Sequence, residues 1–196
     1  MRYRNSTVIS AAYPAEELNV SFSNGYRKTV FTDSLTQQDI PMLAVSVSKE
    51  HVFDIFLQLT DLLGNTVDVI LESSHGSKVS KHIDLHREEI DLPILQSYLQ
   101  EYEEAISNDG CSGIAVMAKG KPMEVQFDEH KVIVVYAQNI ADFERVLQLN
   151  HIRRNDTLPV VNDFEHFHST SDEYEDQFNQ LTGILGCAEP AESNSW

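Results

Sequence analysis

Residues 42–71 have the sequence MLAVSVSKEHVFDIFLQLTDLLGNTVDVIL, and the spacing of their apolar side chains changes twice along this segment. The apolar run at residues 42–47 predicts a strand. From residue 52 to residue 63 the apolar positions recur every three or four residues, which predicts a helix with Ser48 as its N-cap. Residues 67–71 then alternate between apolar and polar, which is typical of a strand with one buried face.

Three more elements follow this segment. Alternation over residues 79–86 predicts a strand. The sequence Asp91-Leu92-Pro93 predicts the start of a helix, whose apolar stripe ends at Ile106. Residues 113–118 are predicted to form a further strand. Residues 42–118 therefore have the element order βαββαβ. This order predicts a ferredoxin-like α+β fold, in which an antiparallel or mixed sheet carries its helices mainly on one face.

The sheet is predicted to extend on both sides of this unit. Before it, Asn24-Gly25 favours the tight turn of an N-terminal β-hairpin formed by residues 18–22 and 26–32. After it, residues 122–128 and 131–136 are predicted as two further strands, because apolar residues alternate in the first and run together in the second.

The C-terminal part is predicted to be mainly helical. Asn139 caps one helix, and Thr170 with Glu173 matches the capping box of a second, acidic helix. Between them, residues 158–161 are predicted as a short edge strand, since Pro159 argues against a central position.

The elements predict a single α+β domain over residues 18–186. Residues 1–17 are predicted to be a loose N-terminal arm, and residues 187–196 a disordered tail. Residues 45–59 and 135–149 share five identical positions in two strand–helix units, which suggests a weak internal duplication. Two such units that obey the same packing rules also reach this similarity without common descent.

The chain is strongly acidic. It has 196 residues, with 14 Lys and Arg against 31 Asp and Glu, and its formal net charge is −17. Because nucleic acids are bound by basic surfaces, this charge predicts no direct nucleic-acid partner. No segment approaches the roughly 20 apolar residues of a membrane helix, and the N-terminal segment is too short and polar for a secretory leader. We therefore expect no membrane contact and a cytoplasmic location.

Familiar catalytic motifs are absent from the sequence. It contains no GxxxxGK[ST] phosphate loop, GxGxxG dinucleotide fingerprint, GxSxG nucleophile elbow or HExxH helix. Cys111 and Cys187 lack the CxxC spacing of a cysteine-built zinc site and are predicted to be free thiols. As a nucleophile, Cys111 would need a nearby histidine or cation.

The first candidate for a metal site is His82-Ile83-Asp84-Leu85-His86. On a strand, His82, Asp84 and His86 share one face, with neighbours about 7 Å apart. Adjacent members could chelate one ion with help from another strand. The alternative is a solvated sheet face, because alternation alone produces this pattern.

The second candidate is Glu165-His166-Phe167-His168, which follows Asp163. A His-x-His pair ligates metals in several folds, so His166 and His168 are predicted metal ligands. The alternative is a loop that is anchored by its phenylalanines and exposes both histidines.

A third group contains acidic, amide and imidazole side chains around one strand and turn: Glu124, Gln126, Asp128, Glu129 and His130. Acid–base chemistry is one interpretation of this group, and a solvated hairpin is the other.

These observations favour a non-catalytic module for protein–protein interaction or ligand sensing, with a protein partner or a second copy in a homodimer and no cofactor. One alternative is a small metal-dependent hydrolase that uses some of the histidines and aspartates above, with a nearby glutamate as base. A further alternative is an acidic inhibitor or immunity-type partner of a basic protein.

Overall fold

The computed structural model describes residues 11–14, 22–34, 37–75 and 82–190. Its strands are β1 (Ala12–Pro14), β2 (Gly25–Thr32), β3 (Asp39–Ser46), β4 (Thr66–Ser73), β5 (Ile83–Asp91), β6 (Ser112–Ala118), β7 (Met123–Phe127), β8 (Ile133–Ala137) and β9 (His166–His168). Its α-helices are α1 (Lys49–Thr60), α2 (Leu92–Glu101), α3 (Glu103–Asn108), α4 (Ala141–Leu149) and α5 (Asp172–Leu185). Short 3-10 turns follow at Asp61–Leu63 and Val161–Asp163.

Seven strands form one antiparallel sheet in the order β2-β3-β8-β7-β6-β4-β5. The α+β class is confirmed, and residues 42–118 contain β3, α1, β4, β5, α2, α3 and β6 in that order. The strands are arranged differently from a ferredoxin-like sheet, in which the first strand of that unit lies between the third and fourth. Here short turns join β6 to β7 and β7 to β8, so consecutive strands pair, and β8 rather than β6 reaches β3.

The helices share one apolar core with the sheet. Helix α1 packs on β7, α3 and α4, and α5 packs on α2 and α3. Phe56 and Phe127 lie at the centre of this core, with stacked rings 5.3 Å apart. The two strand–helix units of the suggested duplication lie side by side, with β3 beside β8 and α1 beside α4. Their common descent stays a prediction.

The N-terminal hairpin differs from the prediction. Strand β2 pairs with β3, the next strand along the chain, and Gly25 is the first residue of β2, so Asn24-Gly25 is not a hairpin turn. Gly25 instead pairs with Ser46, and the Asn24 side chain accepts a hydrogen bond from the Ser48 backbone N–H at 2.8 Å. Residues 18–21, the other predicted strand, lie outside the described residues.

Several predicted boundaries also move. Residues 158–161 form no strand, because Val160 leads into the 3-10 turn. Strand β5 continues through Asp91, and the helix that follows breaks at Tyr102. The N-cap of α5 is Ser171 rather than Thr170, whose hydroxyl donates instead to Asp109.

The segment that was predicted as a tail begins against the sheet edge. Ala188 and His86 exchange two backbone hydrogen bonds, of 2.7 and 3.1 Å, and Cys187 is buried. Residues 191–196 lie outside the described part of the chain, as do residues 1–10 and 15–17 of the predicted arm at 1–17. The described part of that arm contains β1, which pairs with β9. Within that part, no helix combines the length and apolar character that crossing a membrane requires.

Candidate metal centre

Three histidine side chains meet at one end of the sheet. His130 lies in the turn between β7 and β8, and His166 and His168 are alternate residues of β9. The turn is shaped by Asp128, whose Oδ1 accepts hydrogen bonds from the backbone N–H groups of His130 and Val132 at 3.0 and 2.9 Å. Strand β9 is held by antiparallel pairing with β1.

The Nε2 atoms of the three imidazole rings lie close together. His130 Nε2 lies 2.8 Å from His166 Nε2, which lies 3.1 Å from His168 Nε2. All three nitrogens lie within 4.8 Å of one another. The rings are half-buried, and their centroids are separated by 4.5 to 4.9 Å.

Backbone carbonyls fix the tautomer of two of these rings. His166 Nδ1 lies 2.7 Å from the carbonyl oxygen of Phe164, and His168 Nδ1 contacts the carbonyl oxygen of Gly110. A carbonyl oxygen only accepts, so each Nδ1 carries the proton and each neutral ring has its lone pair on Nε2.

The third ring is anchored by a carboxylate. His130 Nδ1 lies 3.1 Å from Asp128 Oδ2, which also accepts a hydrogen bond from the Asn162 amide at 3.0 Å. Burial raises the pKa of Asp128, but hydrogen bonds from His130, Asn162 and the Val132 backbone outweigh it, so the pKa lies below its ordinary value. The ionised carboxylate orients His130 with its Nε2 toward the other two rings.

This geometry suits a metal ion better than it suits three neutral imidazoles. Lone pairs on adjacent Nε2 atoms repel one another unless a cation lies between them. A tetrahedral zinc ion with Zn–N bonds of about 2.0–2.1 Å holds its ligand nitrogens roughly 3.3 Å apart. The observed separations of 2.8 and 3.1 Å need to widen by only a few tenths of an ångström.

A glutamate lies beside the three nitrogens. Glu129 Oε1 is 4.0 Å from His130 Nε2, and Glu129 Oε2 is 3.5 Å from the Ser74 hydroxyl. Only 23% of the Glu129 side chain is exposed, so its carboxylate lies within the site rather than in bulk solvent. Three protein ligands with an adjacent carboxylate are typical of catalytic zinc sites, whereas structural sites have four protein ligands.

A second polar group adjoins the first. His75 Nε2 lies 2.7 Å from Asp109 Oδ2, and Asp109 Oδ1 accepts from the Thr170 hydroxyl at 2.7 Å and from the Cys111 backbone N–H at 3.1 Å. Burial raises the pKa of the Cys111 thiol, a hydrogen bond from Ser74 lowers it, and the charge of Asp109 raises it further. The turn at residues 109–111 carries Asp109 and Cys111 of this group, and its Gly110 carbonyl oxygen holds His168.

A buried lysine completes the surroundings. Lys131 Nζ donates to the Ser112 carbonyl oxygen at 2.8 Å and lies 5.3 Å from the ring centroid of Phe127. Burial lowers the pKa of Lys131 to about 8, although the charges of Asp109, Asp128 and Glu129 oppose that shift.

The structure brings together only some of the predicted metal ligands. His166 and His168 lie in the cluster, joined by His130. His82, Asp84 and His86 instead line an open groove of about 270 Å³ beside Glu189 and Pro190. Asp84 and His86 lie on the edge strand β5, and His82 directly precedes it. Among the described residues these three belong to no group of convergent ligand atoms, since alternate strand residues lie about 7 Å apart.

The sequence pattern did not identify His130 as a ligand. It placed Asp128, Glu129 and His130 around one turn, but their approach to β9 spans 36 positions along the chain. The available signal was the position of His130 in the turn that follows a strand, two residues beyond a turn-forming aspartate.

In comparisons with protein families, curated proteins and solved structures, no match to this chain reaches significance. The chemistry available to this chain is therefore inferred from the geometry of the three histidines and of Glu129.

Proposed function

We propose that this protein is a metal-dependent hydrolase whose centre, formed by His130, His166 and His168, binds a divalent transition-metal ion, with zinc as the best fit. The observation that carries the proposal is the convergence of three Nε2 atoms whose opposite ring nitrogens are all anchored. Neutral imidazole suits zinc and its neighbours, whereas magnesium and calcium prefer oxygen ligands.

The hydrolytic part of the proposal follows from the number of ligands. With three histidines bound, a tetrahedral ion would keep one position for water and would lower the pKa of that water to about 7. The carboxylate of Glu129, with Oε1 4.0 Å from His130 Nε2, would accept a proton from that water. The water oxygen would then bond to the carbonyl carbon or phosphorus of an ester, amide or phosphoester, the bond to the leaving group would break, and Glu129 would return the proton to that group.

Metal binding is tested on the full chain by native mass spectrometry and by competition with a chromophoric chelator. We expect zinc to bind to the wild-type protein and one ion to be lost when His166→Ala and His168→Ala are combined. The loss of affinity should exceed the roughly 10–100-fold that removal of a second-shell partner costs.

The matched control combines His82→Ala with His86→Ala, which removes one histidine directly before β5 and one within it and should leave zinc bound. Wild-type zinc affinity in the His166 and His168 double variant would contradict the proposal.

Hydrolysis is tested with zinc-loaded protein on a panel of chromogenic carboxylic esters, peptides and phosphoesters. Glu129→Gln should keep the metal and lower kcat by roughly 10²–10⁴-fold, because it removes the base. The control is Glu165→Gln, at an exposed position directly before His166. Full turnover in Glu129→Gln, or no hydrolysis of any substrate class by the wild type, would contradict the hydrolase.

A further inference from the structure

We infer that His75, Asp109 and Cys111 form a second metal site beside the three-histidine centre, so that the protein holds two metal ions. The inference rests on the proposed function, because the second ion would act on the same reaction. One nitrogen, one oxygen and the sulfur of these side chains lie within 4.8 Å of one another. The His75 and Asp109 side chains are only 6% and 1% exposed.

The donor set suits a borderline-soft ion. Thiolate, imidazole and carboxylate together favour zinc or cobalt over magnesium and calcium. Asp109 already has the arrangement of a ligating carboxylate: Oδ1 is held by Thr170 and by the Cys111 N–H, and Oδ2 faces His75 at 2.7 Å. An ion bound at Oδ2 would replace the direct contact with His75 and leave the bonds to Oδ1 intact.

The two groups are joined through Glu129 and through the 109–111 turn. One Glu129 oxygen points toward His130, and the other points toward Ser74, whose hydroxyl donates to the Cys111 carbonyl oxygen at 3.3 Å. The turn between Asp109 and Cys111 presents the Gly110 carbonyl to His168. The carboxylate of Glu129 and the 109–111 turn therefore connect the two groups.

The carboxylates at this end of the sheet supply negative charge for bound metal ions. Asp109, Asp128 and Glu129 all lie close enough to Lys131 to interact with its charge. With Lys131 protonated, these three carboxylates balance one dication at the three histidines, and a Cys111 thiolate would supply part of the negative charge for a second ion. The bond from the Cys111 N–H to Asp109 Oδ1 brings the Cys111 sulfur to the His75 and Asp109 pair, and the sulfur adds a soft ligand to the nitrogen and oxygen of that pair.

Cobalt(II) tests the second site, because thiolate ligation gives a near-ultraviolet sulfur-to-cobalt charge-transfer band that a three-histidine site lacks. We expect the wild-type chain to bind two cobalt ions, counted by native mass spectrometry, and to show this band. Cys111→Ser should bind one cobalt ion and lose the band. The reciprocal variant, His166→Ala with His168→Ala, should also bind one ion but keep the band.

The outcomes separate the two proposals. The second site is wrong if the wild type binds one cobalt ion, shows no charge-transfer band and loses that ion in the His166 and His168 double variant. The three-histidine centre would then still stand. Two ions in Cys111→Ser also overturn the second site. Absence of cobalt from the wild type overturns both proposals. Circular dichroism of each variant checks folding, and the reciprocal variant tests the second site without any change to its own ligands.

Discussion

The Nδ1 atom of His168 donates a hydrogen bond to the backbone carbonyl of Gly110, which lies 58 positions earlier in the chain. The same turn makes a second hydrogen bond to this part of the chain. The Gly110 N–H donates to the carbonyl oxygen of Ser169, the residue after β9, at 2.7 Å. These two bonds fix the distance between β9, which carries His166 and His168, and the turn that carries Asp109 and Cys111. The position of Gly110 therefore controls both groups of ligands.

Gly110→Ala should disturb both groups. An added Cβ would lie 2.4 Å from the Ala11 carbonyl oxygen and 2.9 Å from the Ser169 backbone nitrogen, so backbone must move. We expect a loss of about 1–3 kcal/mol in the free energy of unfolding and at least tenfold weaker zinc binding. Chemical denaturation and chelator competition measure the two effects.

Gly183→Ala is the matched control. Gly183 lies in α5, where an added Cβ meets no atom within 4 Å. Alanine also has the higher helix propensity, so this variant should gain about 0.5–1 kcal/mol and bind zinc as the wild type does. If Gly110→Ala bound zinc equally well, the turn would not control the site.

Asp128→Asn tests the orientation of His130. Asparagine keeps an oxygen for the backbone N–H groups of His130 and Val132, so the turn should remain folded. It removes the negative charge that holds His130 Nδ1, and we expect zinc affinity to fall about 10–100-fold. Asn162→Ala, which removes an amide that contacts Asp128 without changing the charge, should have a smaller effect. The reverse order of the two effects would contradict the assigned role of Asp128.

Glu124→Gln should stabilise the protein at neutral pH. Burial raises the pKa of Glu124 above its ordinary value, although a hydrogen bond from Gln126 partly opposes the shift. As pH rises, the unfolded chain loses this proton first, so the stability contributed by Glu124 falls as pH passes through the folded pKa. Glutamine can still accept the bond from Gln126, and it carries no charge.

Denaturation of the Glu124→Gln variant should show a higher free energy of unfolding than the wild type at pH 7. The difference should shrink toward pH 4, where Glu124 is protonated in both states. Glu101→Gln, at an exposed position of α2, is the control for removal of one negative charge. An equal gain from both substitutions would assign the effect to net charge rather than to the burial of Glu124.

Local patterns predicted most elements of the fold. Helix α1 begins after Ser48, α5 ends at Gly186 in the left-handed conformation, and β4 and β7 follow the alternation of their side chains. The arrangement of the strands was not predictable in the same way, because it depends on pairings between distant segments. The Asn24-Gly25 turn illustrates the limit: its dipeptide favours a hairpin, but tertiary pairing with Ser46 and Ser48 prevails.

The candidate site was predictable only in part, for the same reason. His166 and His168 share a face of one strand, so their spacing was visible in the sequence. His130 approaches them because Asp128 shapes the turn that carries it and because the 3-10 turn at Val161–Asp163 leads the chain into β9. The His75, Asp109 and Cys111 group likewise combines two distant loops, which no short motif can encode.

Cys187→Ala tests how the C-terminal segment is buried. Burial raises the pKa of the Cys187 thiol to about 11, with partial opposition from the charge of Arg87. The ordinary thiol pKa is about 8.5, so the unfolded chain ionises first. The contribution of Cys187 to stability is therefore complete below about pH 8.5 and is lost as pH rises toward 11.

In Cys187→Ala, we expect the free energy of unfolding to decline less steeply between pH 8.5 and 11, the interval set by these two pKa values. At pH 7 the substitution should lower the free energy of unfolding by about 1 kcal/mol through lost packing. Leu185→Ala, at a buried neighbour on α5, is the control, because it destabilises the same region without removing a titrating group. Its stability should decline with pH as steeply as that of the wild type. The same steep decline in Cys187→Ala would show that the thiol remains accessible to solvent, and that the pairing of Ala188 with His86 does not hold this segment against the sheet.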